Sequence, residues 1–108
     1  MIARKIGRQA MDFPTFKSSL GNASPPRGLS PALQALWWEA KGDWDKAHEC
    51  AQANDGKAGG DRVHAYLHRK EGDRDNAGYW YNRVGEPFPR QSLEAEWEAV
   101  AKALLETV

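Results

Sequence analysis

Two related stretches decide the fold of this chain. Residues 42–54 read GDWDKAHECAQAN and residues 72–84 read GDRDNAGYWYNRV, so that Gly-Asp, a second Asp and an Ala recur at an offset of thirty residues. A glycine ends a helix by adopting a left-handed backbone, and a following Asp caps the next helix with its carboxylate. Each copy follows an apolar run with helical spacing. The repeat therefore predicts two helical hairpins with Gly-Asp at each turn.

The rest of the hydrophobic pattern predicts five helices and no sheet. Ser30 is expected to cap the first helix. Asp61 is expected to cap the third helix, after a loose connection made by Gly59 and Gly60, and the fifth helix is expected to begin near Arg90. No segment shows the alternation with a period of two that a half-buried strand would have. The sequence therefore predicts an all-α chain.

The chain divides into an arm and a helical domain. Residues 1–28 are predicted to form a partly ordered N-terminal arm and linker, and residues 29–108 the helical domain. Within the arm, Phe13 and Phe16 are expected to anchor a short turn of helix to the main body. The arm also carries four basic residues that could contact a phosphate or an acidic partner: Arg4, Lys5, Arg8 and Lys17.

Composition excludes several classes of protein. Fifteen basic residues balance fifteen acidic residues, so the chain has no overall field to hold nucleic acid. The single cysteine excludes an internal disulfide and a zinc site built from several thiolates. No run approaches the roughly 20 apolar residues that span a bilayer, and no apolar segment follows the basic N-terminus. We therefore expect a cytoplasmic protein that binds neither nucleic acid nor membrane.

The repeated turn resembles that of the tetratricopeptide repeat, which reads Gly-Asp-aromatic-x-x-Ala. The first copy matches at Gly42, Asp43, Trp44 and Ala47, and the second copy matches except for Arg74 at the aromatic position. The stretch VHAYLHRKEGD followed by YWYNR is also similar to a group of small uncharacterised proteins. The resemblance covers about residues 30–90 and implies two TPR-like hairpins. With two repeats only and a C-terminal capping helix, a compact five-helix bundle is expected.

The same resemblance implies a partner-binding face, because ligands of that family lie along the first helix of each hairpin. By that register the partner-binding residues are Leu36, Glu39, Arg62, Tyr66, Arg69 and Lys70. Arg side chains bind carboxylates in pairs of hydrogen bonds, so a protein or an acidic peptide is the expected partner. Helical periodicity, by contrast, makes Leu36 and Tyr66 core residues. Both assignments hold only if the N-terminal arm, a second copy of the chain or a ligand covers the face, and we expect the arm or a second copy.

Three histidines raise the possibility of metal binding. His64 and His68 lie one turn apart on one predicted helix, which suits two metal ligands, and His48 could join them from the preceding helix. The alternative is that His64 and His68 pack between paired helices as polar core residues. No His-Glu-x-x-His motif is present. We expect no resident metal and no cofactor, and keep His64 and His68 as the candidate ligands if a metal binds.

Other residue clusters are better explained by packing. Cys50 follows Glu49, whose charge would raise the pKa of the thiol and make it a poor nucleophile. The three alternating acidic residues Glu94, Glu96 and Glu98 are interpreted as a solvated face. Three consecutive aromatic residues at 79–81 cannot all face one core, so at least one ring is expected at the surface. That surplus of apolar surface predicts either self-association, as in a homodimer, or binding of a partner protein.

These observations leave three hypotheses for function. The first is a protein-interaction module that binds a partner through its helical-repeat surface, and the sequence favours this one. The second is a small metal-dependent enzyme that uses His64 and His68. The third is a structural subunit of a larger assembly. The sequence assigns no catalytic residue.

Overall fold

The computed structural model describes residues 11–53 and 56–106, and within that part of the chain it is all-helical, with no strand. The basic residues Arg4, Lys5 and Arg8 lie outside the described residues. The α-helices are α1 (Phe13–Ser18), α2 (Pro31–Ala40), α3 (Trp44–Gln52), α4 (Ala58–Glu71), α5 (Arg74–Arg83) and α6 (Leu93–Glu106). A short 3-10 helix, Ser19–Gly21, follows α1. The all-α prediction is confirmed, and the described residues form six helices where five were expected.

Both Gly-Asp turns form as the repeat predicts. Gly42 and Gly72 have φ of 88° and 91°, a left-handed backbone that residues with a Cβ adopt at a cost. Asp43 then accepts from the backbone N–H of Lys46 at 3.0 Å, and Asp73 accepts from that of Asn76 at 3.2 Å. The helices joined by each turn, α2 with α3 and α4 with α5, pack on each other.

A pair of glycine substitutions tests the second turn. Gly72→Ala is expected to lower the free energy of unfolding by about 1 kcal/mol, because alanine is strained in the left-handed region. Gly78→Ala is expected to raise it by about 0.5–1 kcal/mol, because Gly78 lies within α5 and a Cβ built there meets nothing within 4 Å. Urea unfolding of both variants measures the difference. Equal effects at the two sites would contradict this account of the turn.

Two helix starts differ from the prediction. Helix α4 begins at Ala58, so Gly59 and Gly60 lie in its first turn, and the residue at the cap position is Lys57. Asp61 therefore does not cap this helix; its side chain accepts from the N–H of Gly56 at 3.2 Å. Glycine is unfavourable chiefly in the interior of a helix, so two glycines in the first turn cost less stability than they would further along α4.

Helix α6 begins later than expected, at Leu93 rather than near Arg90. The Ser92 hydroxyl accepts from the N–H of Ala95 at 3.0 Å and so caps the first turn. The segment between α5 and α6 contains Pro87 and Pro89, which favour extended backbone in the preceding residues and separate the two helices.

The described part of the N-terminal arm packs against the helical domain. Phe16 on α1 is fully buried and its ring stacks on Trp97 of α6 at a centroid distance of 5.7 Å. The indole N–H of Trp37 donates to the Ser19 hydroxyl at 3.0 Å. Lys41 donates to the carbonyl of Leu20 at 2.7 Å. These contacts agree with the aromatic anchor that the sequence predicts for this segment.

Candidate metal centre

Most of the predicted partner-binding face lies under α1 and α6, and Lys70 is exposed at its edge. Leu36 and Tyr66 are 0% and 1% exposed, and Glu39 is 7% exposed. The indole N–H of Trp97 on α6 donates to the Leu36 carbonyl at 3.0 Å. The condition that something covers this face is therefore met within the chain, by α6 together with the α1 segment of the arm.

The two arginines of that face are bound to a carboxylate of the chain itself. Arg62 donates to Glu96 at 2.7 Å and Arg69 donates to the other oxygen of Glu96 at 2.6 Å. The phenol of Tyr81 also donates to Glu96. Glu96 is fully buried, so the interpretation of Glu94, Glu96 and Glu98 as one solvated face is wrong for Glu96. Residues two positions apart on a helix are about 200° apart, so the three carboxylates cannot share a face.

Glu39, Tyr66 and Lys70 of the predicted face line a cavity of about 350 Å³ between α1, α2, α4 and α6. The Glu39 carboxylate accepts from the Tyr66 phenol at 3.3 Å and from the Lys70 ammonium at 2.5 Å. Burial, and then the Glu39 charge, raise the pKa of Tyr66 far above its ordinary value, so that the phenol keeps its proton and donates. Glu39 thus joins α2 to α4.

The three histidines of the chain come together between α3 and α4. One ring nitrogen of each of the three side chains lies within 4.8 Å of a ring nitrogen of the other two: His48, His64 and His68. The Nε2 atoms of His48 and His64 are hydrogen-bonded at 2.9 Å, so that one of them donates its proton and the other accepts. His64 and His68 are 3% and 6% exposed, and His48 is partly buried. The sequence placed His64 and His68 one turn apart, and the packing of α3 on α4 adds His48.

Two tryptophans orient the rings of this histidine cluster. Trp44 stacks on His48 with a centroid distance of 4.7 Å, and Trp80 stacks on His64 at 4.1 Å, both at interplanar angles of 12°. The indole N–H of Trp44 donates to the Leu67 carbonyl at 3.2 Å. Neither contact was predicted from the sequence. Trp44 and His48 lie one turn apart on α3, so helical spacing brings their rings together, whereas the contact of Trp80 with His64 joins α5 to α4 and depends on tertiary packing.

The spacing of the nitrogens fits a tetrahedral metal ion after a small adjustment. Two nitrogens bound to Zn²⁺ at about 2.0–2.1 Å lie about 3.3 Å apart. The observed 2.9 Å between His48 and His64 is within about 0.4 Å of that value. His68 must approach by up to about 1.5 Å, since its nitrogen lies within 4.8 Å of the others.

The single cysteine lies outside this cluster and is unsuited to catalysis. Burial first, and then the neighbouring Glu49 charge, raise the pKa of the Cys50 thiol. A raised pKa lowers the fraction of thiolate, which is the nucleophilic form. The sequence-based interpretation of Cys50 as a packing residue agrees with this.

The aromatic residues of α5 divide between surface and core as expected. Tyr79 is 56% exposed and Tyr81 is 1% exposed. Tyr79 is the one large hydrophobic side chain that is exposed among residues 11–53 and 56–106. A single exposed ring is a smaller apolar surface than the homodimer hypothesis assumes. The homodimer stays a prediction.

Comparison with known proteins yields no relative for this chain. No protein-family model, no curated protein and no solved structure matches it. Among residues 11–53 and 56–106, none of the helices has the length and hydrophobicity of a transmembrane segment. The resemblance to the tetratricopeptide repeat and the cytoplasmic location stay predictions.

Proposed function

We propose that this protein binds one divalent transition-metal ion, Zn²⁺ as the reference case, through His48, His64 and His68. The observation that carries the proposal is the convergence of three ring nitrogens within 4.8 Å of one another, from two helices. Two of the rings are almost completely buried, which removes much of the competition from water for their lone pairs. Three imidazoles without a thiolate are a ligand set typical of zinc, copper and nickel.

The ligand set also indicates which ions should not bind. Mg²⁺ and Ca²⁺ prefer oxygen ligands, and imidazole nitrogens are poor substitutes. Three protein ligands leave a fourth position for water or another small ligand, as in zinc sites of the catalytic type. The hypothesis of a metal-dependent enzyme that uses His64 and His68 requires this centre. That hypothesis therefore fails if the protein does not bind metal.

The protein-interaction hypothesis is supported less well. Arg62 and Arg69, which were expected to receive an acidic partner, are bound to Glu96. A partner would have to displace Glu96 or use a different surface. Partner binding and a structural role in an assembly therefore stay predictions, and metal binding is the function that the geometry supports best.

Metal titration of the purified protein tests the proposal. After removal of metal with a chelator, the chain is expected to bind one Zn²⁺ by calorimetry and one Co²⁺ by its visible absorption, and not Mg²⁺. His48→Gln is expected to weaken binding at least about 100-fold, because it removes a direct ligand and even supporting residues are worth 10–100-fold. Glutamine keeps a polar side chain of similar reach on α3, so the variant should still fold.

The neighbouring exposed residue supplies the control. Glu49→Gln removes a charge next to His48 without removing an imidazole, and it should bind Zn²⁺ as the native chain does. Circular dichroism of the metal-free proteins checks that all variants are folded. The proposal is wrong if the native chain binds no Zn²⁺, or if His48→Gln and the native chain bind it equally.

A further inference from the structure

The ring of His68 contacts the carboxylate of Glu71. Its Nδ1 lies 2.7 Å from a carboxylate oxygen of Glu71, one turn further along α4. The His68 side chain is 8% exposed and the Glu71 side chain 35%, so the contact is at the edge of the buried cluster. Glu71 is the last residue of α4, next to the Gly72 turn.

This contact determines which nitrogen of His68 can bind a metal. A neutral imidazole carries one N–H and one lone pair, and an ionised carboxylate can only accept a hydrogen bond. Nδ1 must therefore hold the proton and donate to Glu71, which leaves the lone pair on Nε2. Carboxylate-bound histidines of this kind are common around protein-bound metals, where the carboxylate fixes the tautomer and the ring orientation.

The other two rings stack on tryptophans, and their Nε2 atoms share a hydrogen bond at 2.9 Å that requires a proton on one of the two atoms. Trp44 and Trp80 fix the planes of His48 and His64. In the contact with Glu71, a charged group determines the position of the His68 ring proton. We propose that Glu71 is the positioning residue of the histidine site, holding His68 as the Nδ1–H tautomer with Nε2 presented to the metal. The proposal rests on the proposed function, but its first test does not need metal.

The first test reads the tautomer of His68 directly in the metal-free protein. Long-range ¹H–¹⁵N correlation spectra at about pH 8.5, two units above the ordinary histidine pKa, distinguish a protonated from an unprotonated ring nitrogen. The native chain is expected to show His68 with its proton on Nδ1. Glu71→Ala is expected to show a mixture of tautomers. A native His68 with its proton on Nε2 would overturn the proposal, whatever the metal titrations give.

The second test separates the hydrogen bond from the charge. Glutamine at position 71 can still accept from Nδ1–H, whereas alanine cannot. Zn²⁺ affinity is therefore expected to fall in the order native, Glu71→Gln, Glu71→Ala, with a total loss of about 10–100-fold. Equal losses in Glu71→Gln and Glu71→Ala would mean that only the charge matters, and would overturn the positioning role.

Glu98→Gln is the matched control for this series. Glu98 pairs with Lys102 at 2.7 Å on α6, so the control removes a carboxylate from a pair within one helix, away from the histidines. It should bind Zn²⁺ as tightly as the native chain. If His48→Gln abolishes Zn²⁺ binding while Glu71→Ala leaves it unchanged, the metal site stands and the role of Glu71 is wrong. If His48→Gln has no effect, the metal site itself is wrong, and the tautomer measurement still decides the role of Glu71.

Discussion

Glu96→Ala is expected to lower the free energy of unfolding by about 3–5 kcal/mol, because it leaves two guanidinium groups without their buried carboxylate. Glu96 is fully buried and accepts from Arg62, Arg69 and Tyr81, which lie on α4 and α5. Its loss removes the polar link between α6 and both helices of the second hairpin. Chemical denaturation with urea, followed by far-ultraviolet circular dichroism, measures the change.

Two further variants keep this prediction testable if Glu96→Ala does not fold. Glu94→Ala removes an exposed carboxylate from the same helix and should change stability by less than about 0.5 kcal/mol. Tyr81→Phe removes a single donor to Glu96 and should destabilise by about 1 kcal/mol. If Tyr81→Phe and Glu94→Ala have the same effect, Glu96 does not hold α6 to the hairpin in the way described.

Trp37→Ala is expected to lower the free energy of unfolding by about 3–5 kcal/mol, the range for a large buried aromatic residue. Trp37 is 0% exposed, and its indole N–H donates to Ser19 in the short helical turn after α1. The substitution leaves a cavity in the core and also removes a link to the N-terminal segment. Urea unfolding gives the total change in stability.

The adjacent residue is the control for this prediction. Trp38 is partly buried, and the Lys46 ammonium lies 4.1 Å from its ring centroid. Trp38→Ala should therefore be less costly, at about 1 kcal/mol. Hydrogen exchange of the amides in Phe13–Ser18 should increase in Trp37→Ala and not in Trp38→Ala. Equal effects of the two substitutions on stability would contradict the assignment of Trp37 to the core.

One part of the candidate metal site could be predicted from the sequence, and the other part could not. The spacing of His64 and His68 follows from the period of one helix, and so it could be read directly. Whether His48 would reach them depended on how α3 packs on α4, which the sequence left open. Trp80 is on a third helix, and nothing in the sequence places it against His64.

The sequence did not show whether the predicted partner-binding face is open to a partner or covered by the chain. The resemblance to the tetratricopeptide repeat placed Arg62 and Arg69 in an open groove, whereas helical periodicity placed Leu36 and Tyr66 in a core. A side chain on the inner face of a hairpin is available to a partner only if no other part of the chain covers it. Trp97 and Glu96 of α6 cover this face, and their spacing along α6 does not reveal which helix they contact.

Much of the local structure could be predicted from the sequence, although the starts of α4 and α6 could not. The all-α class, the Gly-Asp turns at 42–43 and 72–73 and the cap of α2 by Ser30 were predicted correctly, because caps and left-handed glycines depend on residues within one turn of each other. The tertiary structure alone decided that Glu96 is buried, that α6 covers the predicted face and that three histidines meet between two helices. These outcomes depend on contacts between residues 15 to 61 positions apart, which no local pattern encodes.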